Sequence, residues 1–441
     1  MKVLFLCGGA GRRMFPITEA KFLLKFLGKT LLEHQVELAK GSGLTDFIIV
    51  GNHRNIERIR EIVTDIPGIN VEFAIQEQPL GIADALQSAS WLLDDELIVV
   101  NPNDLFDGSA YNSLLETQRT KPAISYLVGY EVSEYFPGGY LVIDKDNELT
   151  SIVEKPEPGK EPSRLVNVLV HLHTDPKLLL KHVADVETGR DDVYERAIDA
   201  MAKDTHGVKV VPYTGIWTAI KYPWHIFNAV RQFLDRSPGY ISPSAQISEK
   251  ATIEDKVVIS DDARVFENAV VKGPVYIGPR SVIGTSSLVR EYSHIGSDCV
   301  VGFSTEIKNS YVSDGCWFHM NYIGDSIIGE GCSFGAGTVL SNWRFDEKNI
   351  KIKAEGTSID TGLDKLGAII GSKSKTGVHV SVMPGVRIGP NSIVGSHVCL
   401  EDDLGPDKTV LLESAHKTVS NRFRSDKKAG PWATRRMKQQ D

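Results

Sequence analysis

The chain has 441 residues, enough for two or three domains at about 100–200 residues each. A hydrophobic share of 41% and a charged share of 24% are typical of a protein with a packed core. The net charge of -8 argues against a nucleic-acid-binding protein, because such proteins normally carry an excess of Lys and Arg. The 39 glycines exceed the roughly 7% average, which predicts a backbone that turns tightly at many places.

None of the five cysteines belongs to a C-x-x-C pair, which favours a reduced cytoplasmic protein over a disulfide framework or a zinc ribbon. The apolar run at the N-terminus, MKVLFLCGGAG, is too short for a signal peptide. No stretch reaches the ~18 apolar residues of a membrane-spanning helix. We therefore expect a cytoplasmic protein that does not enter a membrane.

The first half alternates apolar strands with helical segments. Continuous apolar runs predict buried strands at Val3–Cys7, Phe47–Asn52, Leu97–Asn101 and Ile124–Tyr130. Helical segments such as LLEHQVELAK lie between them, and WHIFNAVRQFLDR ends this half at about Arg236. This order predicts an α/β domain over residues 1–236, with a mostly parallel, Rossmann-like sheet and ligands at the carboxyl ends of its strands.

The second half has a period of six residues. The β-branched residues recur without a slip at Ile241, Ile247, Ile253, Ile259, Val265, Val271, Ile277, Ile283, Val289, Ile295, Val301 and Ile307. The period is interrupted near Val312 and again by a loop from Trp343 to Ile369. A period of six predicts a parallel β-helix with inward-facing β-branched residues, over residues 237–410. The basic tail, residues 411–441, is either a solvated end or an arm that contacts another subunit or an anionic cofactor.

A glycine loop follows the first strand. The loop GGAGRRMFPIT, with Lys21 after it, lets backbone N–H groups approach phosphates, while Arg12 and Arg13 add positive charge. In context it resembles the signature of sugar-1-phosphate nucleotidylyltransferases, G-G-x-G-T-R-L-x-P-L-T followed by K-P. PLGIADAL, NPNDLF, GGYLVID and VEKP follow in the family's order over about residues 1–230.

The resemblance implies in-line attack of a sugar-1-phosphate on the α-phosphate of a nucleoside triphosphate, which depends on positioning and charge neutralisation. It implies that Arg13 and Lys21 hold the triphosphate as catalytic residues, that Asp104 binds Mg²⁺, and that Lys155 binds the sugar phosphate. The further nucleotide- and sugar-phosphate-binding residues that it implies are Gly8, Gly9, Gly11, Gln76, Gly81, Gly139, Glu154 and Asn167.

The chain departs from this pattern at four positions. Arg12 replaces Thr, Phe22 replaces the Pro after the Lys, and Leu169 replaces the Gly of Asn-x-Gly. Ala219, in GIWTAIKYP, stands where a W-x-D-x-G-x-P pattern has a second metal-binding Asp. A single carboxylate holds Mg²⁺ less well, although Mg²⁺ commonly uses one or two carboxylates with several waters. A full transferase, a weakened one and a sugar-nucleotide-binding module all remain open.

The β-helix contains a second set of motifs, WFHMNYIGD and FGAGTVLSN, just before the long loop. The stretch from Arg290 to Ser372 resembles the left-handed β-helix acetyltransferase domain of bacterial bifunctional N-acetylglucosamine-1-phosphate uridylyltransferase/glucosamine-1-phosphate acetyltransferase. It is also similar to archaeal two-domain sugar-1-phosphate nucleotidylyltransferases. The resemblance implies that His319 accepts the proton of an attacking amine. The hexosamine-phosphate or acetyl-CoA contacts that it implies are Arg290, Lys308, Tyr322, Asn342, Lys348, Lys351 and Ser372.

Three hypotheses follow. The first is an enzyme of sugar-nucleotide synthesis with both activities, acetyl-CoA as co-substrate, UDP-N-acetylglucosamine as a candidate product, and a homotrimer or dimer of trimers as its assembly. The second keeps nucleotidyl transfer alone, of UDP- or dTDP-glucose type, with the β-helix as an oligomerisation scaffold. The third is a non-catalytic sugar-nucleotide-binding regulatory subunit.

Overall fold

The computed structural model describes residues 1–9, 11–188, 192–354, 356–413 and 418–420. Of the basic tail, residues 414–417 and 421–441 therefore lie outside the described residues. No helix in the described ranges has the length and apolar character needed to cross a lipid bilayer.

The N-terminal half consists of short strands alternating with helices. Its strands are β1 (Lys2–Leu6), β2 (Lys25–Phe26), β3 (Lys29–Thr30), β4 (Asp46–Gly51), β5 (Asn70–Ile75), β6 (Leu97–Val100), β7 (Asp104–Phe106), β8 (Ser125–Glu131), β9 (Gly139–Ile143), β10 (Leu149–Glu154), β11 (Leu165–His173), β12 (Val208–Tyr213) and β13 (Trp217–Ala219). Its helices are α1 (Leu31–Gly41), α2 (Ile56–Thr64), α3 (Ile82–Ser88), α4 (Ser109–Thr120), α5 (Pro176–Asp185), α6 (Val193–Thr205) and α7 (Ile226–Arg236), with 3₁₀ turns at Arg12–Met14, Lys21–Leu23, Ser90–Leu92 and Pro223–His225. The four strands predicted from apolar runs are all present, each shifted by about one residue.

The main sheet has a parallel centre. Strands β6, β1, β4 and β5 lie side by side in parallel, and β11, β9 and β10 extend the sheet beyond β6 in antiparallel pairs. From β1 the chain moves through α1 to β4 on one side, while β6 lies on the other side. Ligands bind where the strand order reverses in this way, at the carboxyl ends of the strands. The residues that follow β1 and β6 are therefore well placed to form a site.

The second half is a triangular parallel β-helix with three faces. The first face contains Tyr240–Ile241, Val257–Ile259, Val275–Ile277, Ser293–Ile295, Tyr311–Val312, Ile327–Ile328, Ile369–Ile370 and Arg387–Ile388. The second face contains Gln246–Ile247, Arg264–Val265, Val282–Ile283, Val300–Val301, Trp317–Phe318, Ser333–Phe334, Lys375–Thr376, Ile393–Val394 and Thr409–Val410. The third face contains Thr252–Ile253, Val270–Val271, Leu288–Val289, Glu306–Lys308, Tyr322–Gly324, Val339–Leu340, Ser381–Val382 and Cys399–Leu400.

The six-residue series forms the core of this helix. From Ile259 to Ile307 every member of the series is buried, with at most 1% of its surface exposed. The prediction is wrong for Ile241, which is 48% exposed because the terminal coil has no preceding coil to cover it. At the predicted interruption the core continues without a gap, because Val312, Ile323 and Ile328 each follow the previous inward residue after five positions instead of six.

The predicted long loop leaves the helix after Val339–Leu340 and returns at Ile369–Ile370. It contains an antiparallel hairpin formed by Lys351–Ala354 and Thr357–Asp360. Ile350 and Ile352 of the loop are buried against the N-terminal domain and the β-helix, and this contact fixes the middle of the loop.

The first face of the β-helix packs on the N-terminal domain. The outward side chains of Tyr276, His294 and Tyr311 are only 2–3% exposed. The two tyrosines belong to one apolar cluster with residues of α7 and with Phe26 of β2, and the His294 ring stacks between them. Polar contacts also cross this interface: the Tyr311 hydroxyl donates to the Lys25 carbonyl at 3.1 Å, and Lys25 pairs with Asp314 at 2.8 Å.

Candidate active sites

The glycine loop after β1 lies in a cleft of about 910 Å³. Asn52 donates to the Gly8 carbonyl at 3.0 Å, and Asn55 donates to the Cys7 carbonyl at 2.9 Å, so two side chains hold the loop backbone. A Cβ atom at Gly8 would lie 1.9 Å from Oε1 of Gln76, so any larger residue there would have to displace the Gln76 side chain. The predicted residues that line the cleft are Gly8, Gly9, Gly11, Arg12, Lys21 and Gln76.

Gln76 is buried at the edge of this cleft and held in one orientation. Its Nε2 donates to the Gly81 carbonyl at 3.0 Å and to Oδ2 of Asp84 at 2.7 Å. Both donors are thereby directed away from Gly8, and Oε1 faces the glycine loop. The structure thus brings Gln76 and Gly81 together and adds Asp84, which the sequence analysis did not select.

Asp104 lies at the start of β7 and is 8% exposed. Its Oδ1 accepts from Asn101 and its Oδ2 from the indole N–H of Trp217, both at 3.1 Å. Burial raises the pKa of Asp104, while the hydrogen bond from Trp217 and the charges of Lys221 and Lys21 lower it.

Lys221 is a site residue that the sequence analysis missed. It donates to the Pro137 carbonyl, and its Nζ lies 3.5 Å from the centre of the Phe136 ring. Burial lowers the pKa of Lys221, whereas the carboxylates of Asp104 and Glu154 raise it. The same two causes, burial and the Asp104 carboxylate, act on Lys21.

Arg13 belongs to the same group of charges. It lies in the exposed 3₁₀ turn Arg12–Met14, after Gly11 in a left-handed conformation. Its positive charge lowers the pKa values of Lys21 and Lys221.

Four of the predicted sugar-phosphate residues meet at the start of β9 and the end of β10. Glu154 pairs with Lys155 at 2.8 Å. A Cβ atom at Gly139 would lie 3.0 Å from Oε2 of Glu154 and 3.5 Å from Cβ of Asn167. Oδ1 of Asn167 lies 2.6 Å from Nε2 of the buried His171, so a residue outside the predicted set orients it.

The centre of the second site is Asp325, another residue that the sequence analysis missed. It lies just after the third-face strand Tyr322–Gly324 and is 3% exposed. Its Oδ2 accepts from Lys308 at 2.9 Å and from Asn342, and its Oδ1 accepts from Asn309 at 2.7 Å. One buried carboxylate therefore holds two of the predicted sugar-phosphate residues together.

Tyr322 and His319 lie along the same face. A Cβ atom at Gly324 would lie 2.7 Å from the Tyr322 hydroxyl and 2.8 Å from Nδ2 of Asn342, so these two side chains converge over Gly324. Burial raises the pKa of Tyr322. His319 is exposed at the corner where the chain enters the third face, and its backbone N–H donates to the buried Asn321 at 2.5 Å.

The other predicted residues of this half are more dispersed. Arg290 lies on the third face and pairs with Glu306 at 3.1 Å. Lys348 and Lys351 are exposed on the long loop, and within the described residues neither forms an ion pair with the Asp325 group. Ser372 lies at the corner between the first and second faces, next to Gly329, so a single chain does not bring it to the corner of His319.

A polar contact links this site to the N-terminal domain. Arg231 of α7 donates to Oδ1 of Asn309 at 2.8 Å, and its guanidinium stacks 4.1 Å from the centre of the Tyr292 ring. Because Asn309 in turn donates to Asp325, the two domains share one chain of hydrogen bonds that ends at Lys308.

Comparisons with known proteins agree with both halves. Residues 2–217 match the nucleotidyl transferase family. The bifunctional sugar-1-phosphate nucleotidylyltransferase/acetyltransferase of Sulfurisphaera tokodaii is 33% identical over 92% of this chain and 98% of its own. The bifunctional protein GlmU is 37% identical over 92% of this chain and 95% of its own in Methanococcus maripaludis strain C7, and 34% identical over 92% and 96% in Methanocaldococcus jannaschii.

Among solved structures, a UDP-glucose pyrophosphorylase bound to UDP-glucose covers 53% of this chain and 98% of its own, at 20% identity and a TM-score of 0.48. These bifunctional relatives match the chain across the two domains and nearly to their own full length. The chain belongs to the family of bifunctional sugar-1-phosphate nucleotidylyltransferase/acetyltransferases of the GlmU type.

Proposed function

We propose that this chain carries both activities of its family, acting in the cytoplasm on a nucleoside triphosphate, a hexosamine-1-phosphate and acetyl-CoA. The observation that carries the proposal is the Asp325 group, in which one buried carboxylate holds Lys308 and Asn342 beside Tyr322. A β-helix that served only as a scaffold would not need a buried carboxylate and a lysine at this corner, because burying charge costs free energy unless the charge is paired.

At the β-helix site, the amine of the hexosamine attacks the thioester carbon of acetyl-CoA. The new C–N bond forms, the C–S bond breaks, and the amine proton must leave. His319 is the proton acceptor on this face, since a neutral imidazole is a suitable base near pH 7. Lys308 and Arg290 supply positive charge for the sugar phosphate, and Tyr322 and Asn342 supply hydrogen bonds to the sugar.

At the N-terminal site, an oxygen of the sugar-1-phosphate attacks the α-phosphorus of the triphosphate, and pyrophosphate leaves. Positioning and charge neutralisation carry most of such a reaction. The glycine loop and Lys21 hold the triphosphate, Gln76 meets the nucleobase, and Lys155 beside Gly139 and Asn167 meets the sugar phosphate.

The family implies a divalent metal in general, and the sequence suggested Mg²⁺ at Asp104. Within the described ranges, no group of three or more His, Cys, Asp or Glu residues could hold a metal ion. Both oxygens of Asp104 already accept hydrogen bonds, and Lys21 and Lys221 act on it as the nearby cations. These donors do not fit a divalent ion held by the protein, and no step is assigned to one.

We also propose a homotrimer or a dimer of trimers. Exposed apolar side chains are concentrated on the second face and at its corner with the third, which includes the corner of His319. They are Phe266, Phe303, Trp317, Met320, Val378 and Ile393, each 39–60% exposed. Apolar patches of this kind mark contacts between proteins.

Two assays test the activities. The first supplies glucosamine-1-phosphate with acetyl-CoA and follows free thiol, and the second supplies UTP with a sugar-1-phosphate and follows pyrophosphate. We expect His319→Ala to abolish thiol release and to leave pyrophosphate release unchanged. If thiol release survives in His319→Ala, the assignment of His319 as the proton acceptor is wrong. Pyrophosphate release alone would support the scaffold hypothesis, and the absence of both would support the regulatory one.

A further inference from the structure

The place beside Asp104 offers one carboxylate and two ammonium groups, those of Lys21 and Lys221, and this balance of charge disfavours a divalent cation held by the protein. Asp104 pairs in register with Ala219 across the two-stranded sheet of β7 and β13, so the residue opposite offers no oxygen ligand. Asp104 itself is held by Asn101 and Trp217. Mg²⁺ binds through one or two carboxylates together with waters and substrate phosphates, and nearby cations oppose it.

Lys221 follows Ala219 by two residues. The pattern that the chain resembles has Asp and Gly at these two positions, so one carboxylate is lost and one ammonium group is gained at the same strand end. The Lys221 ammonium is held by the Pro137 carbonyl and the face of Phe136. Neither contact carries a full negative charge, and the carboxylates that act on this ammonium group are Asp104 and Glu154.

The Lys221 ammonium group lies close to the predicted sugar-phosphate residues. A Cβ atom at Gly138 would lie 3.9 Å from Nζ of Lys221, and Gly138 immediately precedes the sugar-phosphate residue Gly139. Lys221 therefore lies between Asp104 on one side and the Glu154–Lys155 pair on the other. A lysine at such a point binds phosphate oxygens as a compact positive charge.

We propose that Lys221 acts as the fixed cation of the N-terminal site, and that with Lys21 it binds substrate phosphates there without a divalent ion held by the protein. Asp104 then serves as the counter-charge that keeps the two ammonium groups in place. This inference rests on the proposed nucleotidyl function, because it names how that same site binds the phosphates of its substrates.

Calorimetric titration of the full-length protein with inorganic pyrophosphate and with UTP, in excess EDTA and in excess Mg²⁺, tests the first part. We expect pyrophosphate to bind equally well, within about twofold, in both buffers. Lys221→Met should weaken binding in EDTA at least about tenfold, as loss of one charge contact predicts, and Lys221→Arg should restore most of it. Lys177→Met removes an exposed lysine on α5 and should change nothing.

Electron paramagnetic resonance of Mn²⁺ tests the second part. The wild type should bind no Mn²⁺ at Asp104, whereas the double variant Ala219→Asp/Lys221→Gly should gain one Mn²⁺ per chain that Asp104→Asn then removes. Mn²⁺ bound by the wild type and lost in Asp104→Asn would overturn the inference, as would pyrophosphate binding that requires Mg²⁺ and ignores Lys221→Met. If neither pyrophosphate nor UTP binds in any buffer, the nucleotidyl function itself is refuted.

Discussion

Nζ of Lys308 lies 2.9 Å from Oδ2 of Asp325, and this ion pair is nearly closed to solvent on the Asp325 side. Asn309 and Asn342 donate to the same carboxylate. Asp325 is thus a positioning residue of the proposed site: it holds the Lys308 ammonium group, proposed to bind the sugar phosphate, and the Asn342 amide, proposed to bind the sugar.

Asp325→Asn should impair acetyl transfer and leave nucleotidyl transfer intact. The neutral amide cannot pair with Lys308 or accept at both atoms, and hydrogen bonds to charged groups contribute about 1.5–3 kcal/mol each. We expect kcat/KM for the hexosamine phosphate to fall roughly 10- to 100-fold, mainly through KM. Steady-state thiol release over a range of sugar-phosphate concentrations measures this, and an unchanged KM would show that Asp325 does not position Lys308.

Arg231→Met should weaken hexosamine-phosphate binding at the Asp325 group, although Arg231 belongs to the N-terminal domain. Arg231 holds Asn309, which holds Asp325, so its loss should raise the KM for the hexosamine phosphate by about fivefold, equivalent to roughly 1 kcal/mol, with little change in kcat. Arg236→Met is the matched control, because Arg236 lies on the same helix and bonds only to Gln232 among the described residues. Equal effects of the two variants would refute the link between the domains.

Gly8→Ala should lower the affinity for the nucleotide more than Gly9→Ala does. The added methyl group at Gly8 would lie 1.9 Å from Oε1 of Gln76 and must displace that side chain, whereas nothing lies within 4 Å of a Cβ atom at Gly9. We expect UTP affinity to fall at least about tenfold in Gly8→Ala and to stay within about threefold in Gly9→Ala. Calorimetry gives both affinities, and thiol release shows whether the acetyltransferase site is unaffected.

The free energy of unfolding should fall in mild acid because His294 is protonated more readily in the unfolded chain than in the folded protein. Burial lowers the pKa of His294 to about 4, and the nearby Asp314 and Lys25 have opposing effects on it. In the unfolded chain the pKa is about 6.5, so the unfolded state binds the proton first, and stability falls as pH drops from about 6.5 to about 4. The contribution is at most roughly 3 kcal/mol.

His294→Phe keeps a ring between Tyr276 and Tyr311 and removes the titrating group. Urea unfolding at several pH values between 4.5 and 7.5 compares the two proteins, and the variant should lose less stability in acid than the wild type. Parallel pH profiles would show that other groups cause the acid sensitivity.

The six-residue period predicted the β-helix well, because the period arises from contacts between neighbouring coils. A coil of the β-helix repeats the same contacts with its neighbours, so Ile259 to Ile307 show in sequence the pattern that they have in space. The close approach of Gln76 to Gly8 has no such local origin, because the two residues are far apart in the sequence and only the fold brings them together.

The residues that the sequence analysis missed make contacts between distant parts of the chain. Arg231 reaches Asn309 across 78 positions. Asp325 and Lys221 lie inside sequence motifs from which other residues, but not these two, were selected as site residues. Only folding reveals that Asp325 is buried among three donors and that Lys221 reaches the Pro137 carbonyl and the face of Phe136. Ser372 is the opposite case: the sequence selected it as a site residue, but within one chain it does not lie at the corner of His319.

The contact of the first face of the β-helix with the N-terminal domain limits how copies of the chain can associate. Tyr276, His294 and Tyr311 are already covered within one molecule, and only three residues separate the end of α7 at Arg236 from the first coil strand at Tyr240. In the homotrimer proposed above, the β-helices are therefore expected to meet through their second and third faces, where His319 lies. The N-terminal domain on the first face would then be left outside these contacts, and the corner of His319 would lie beside a neighbouring chain.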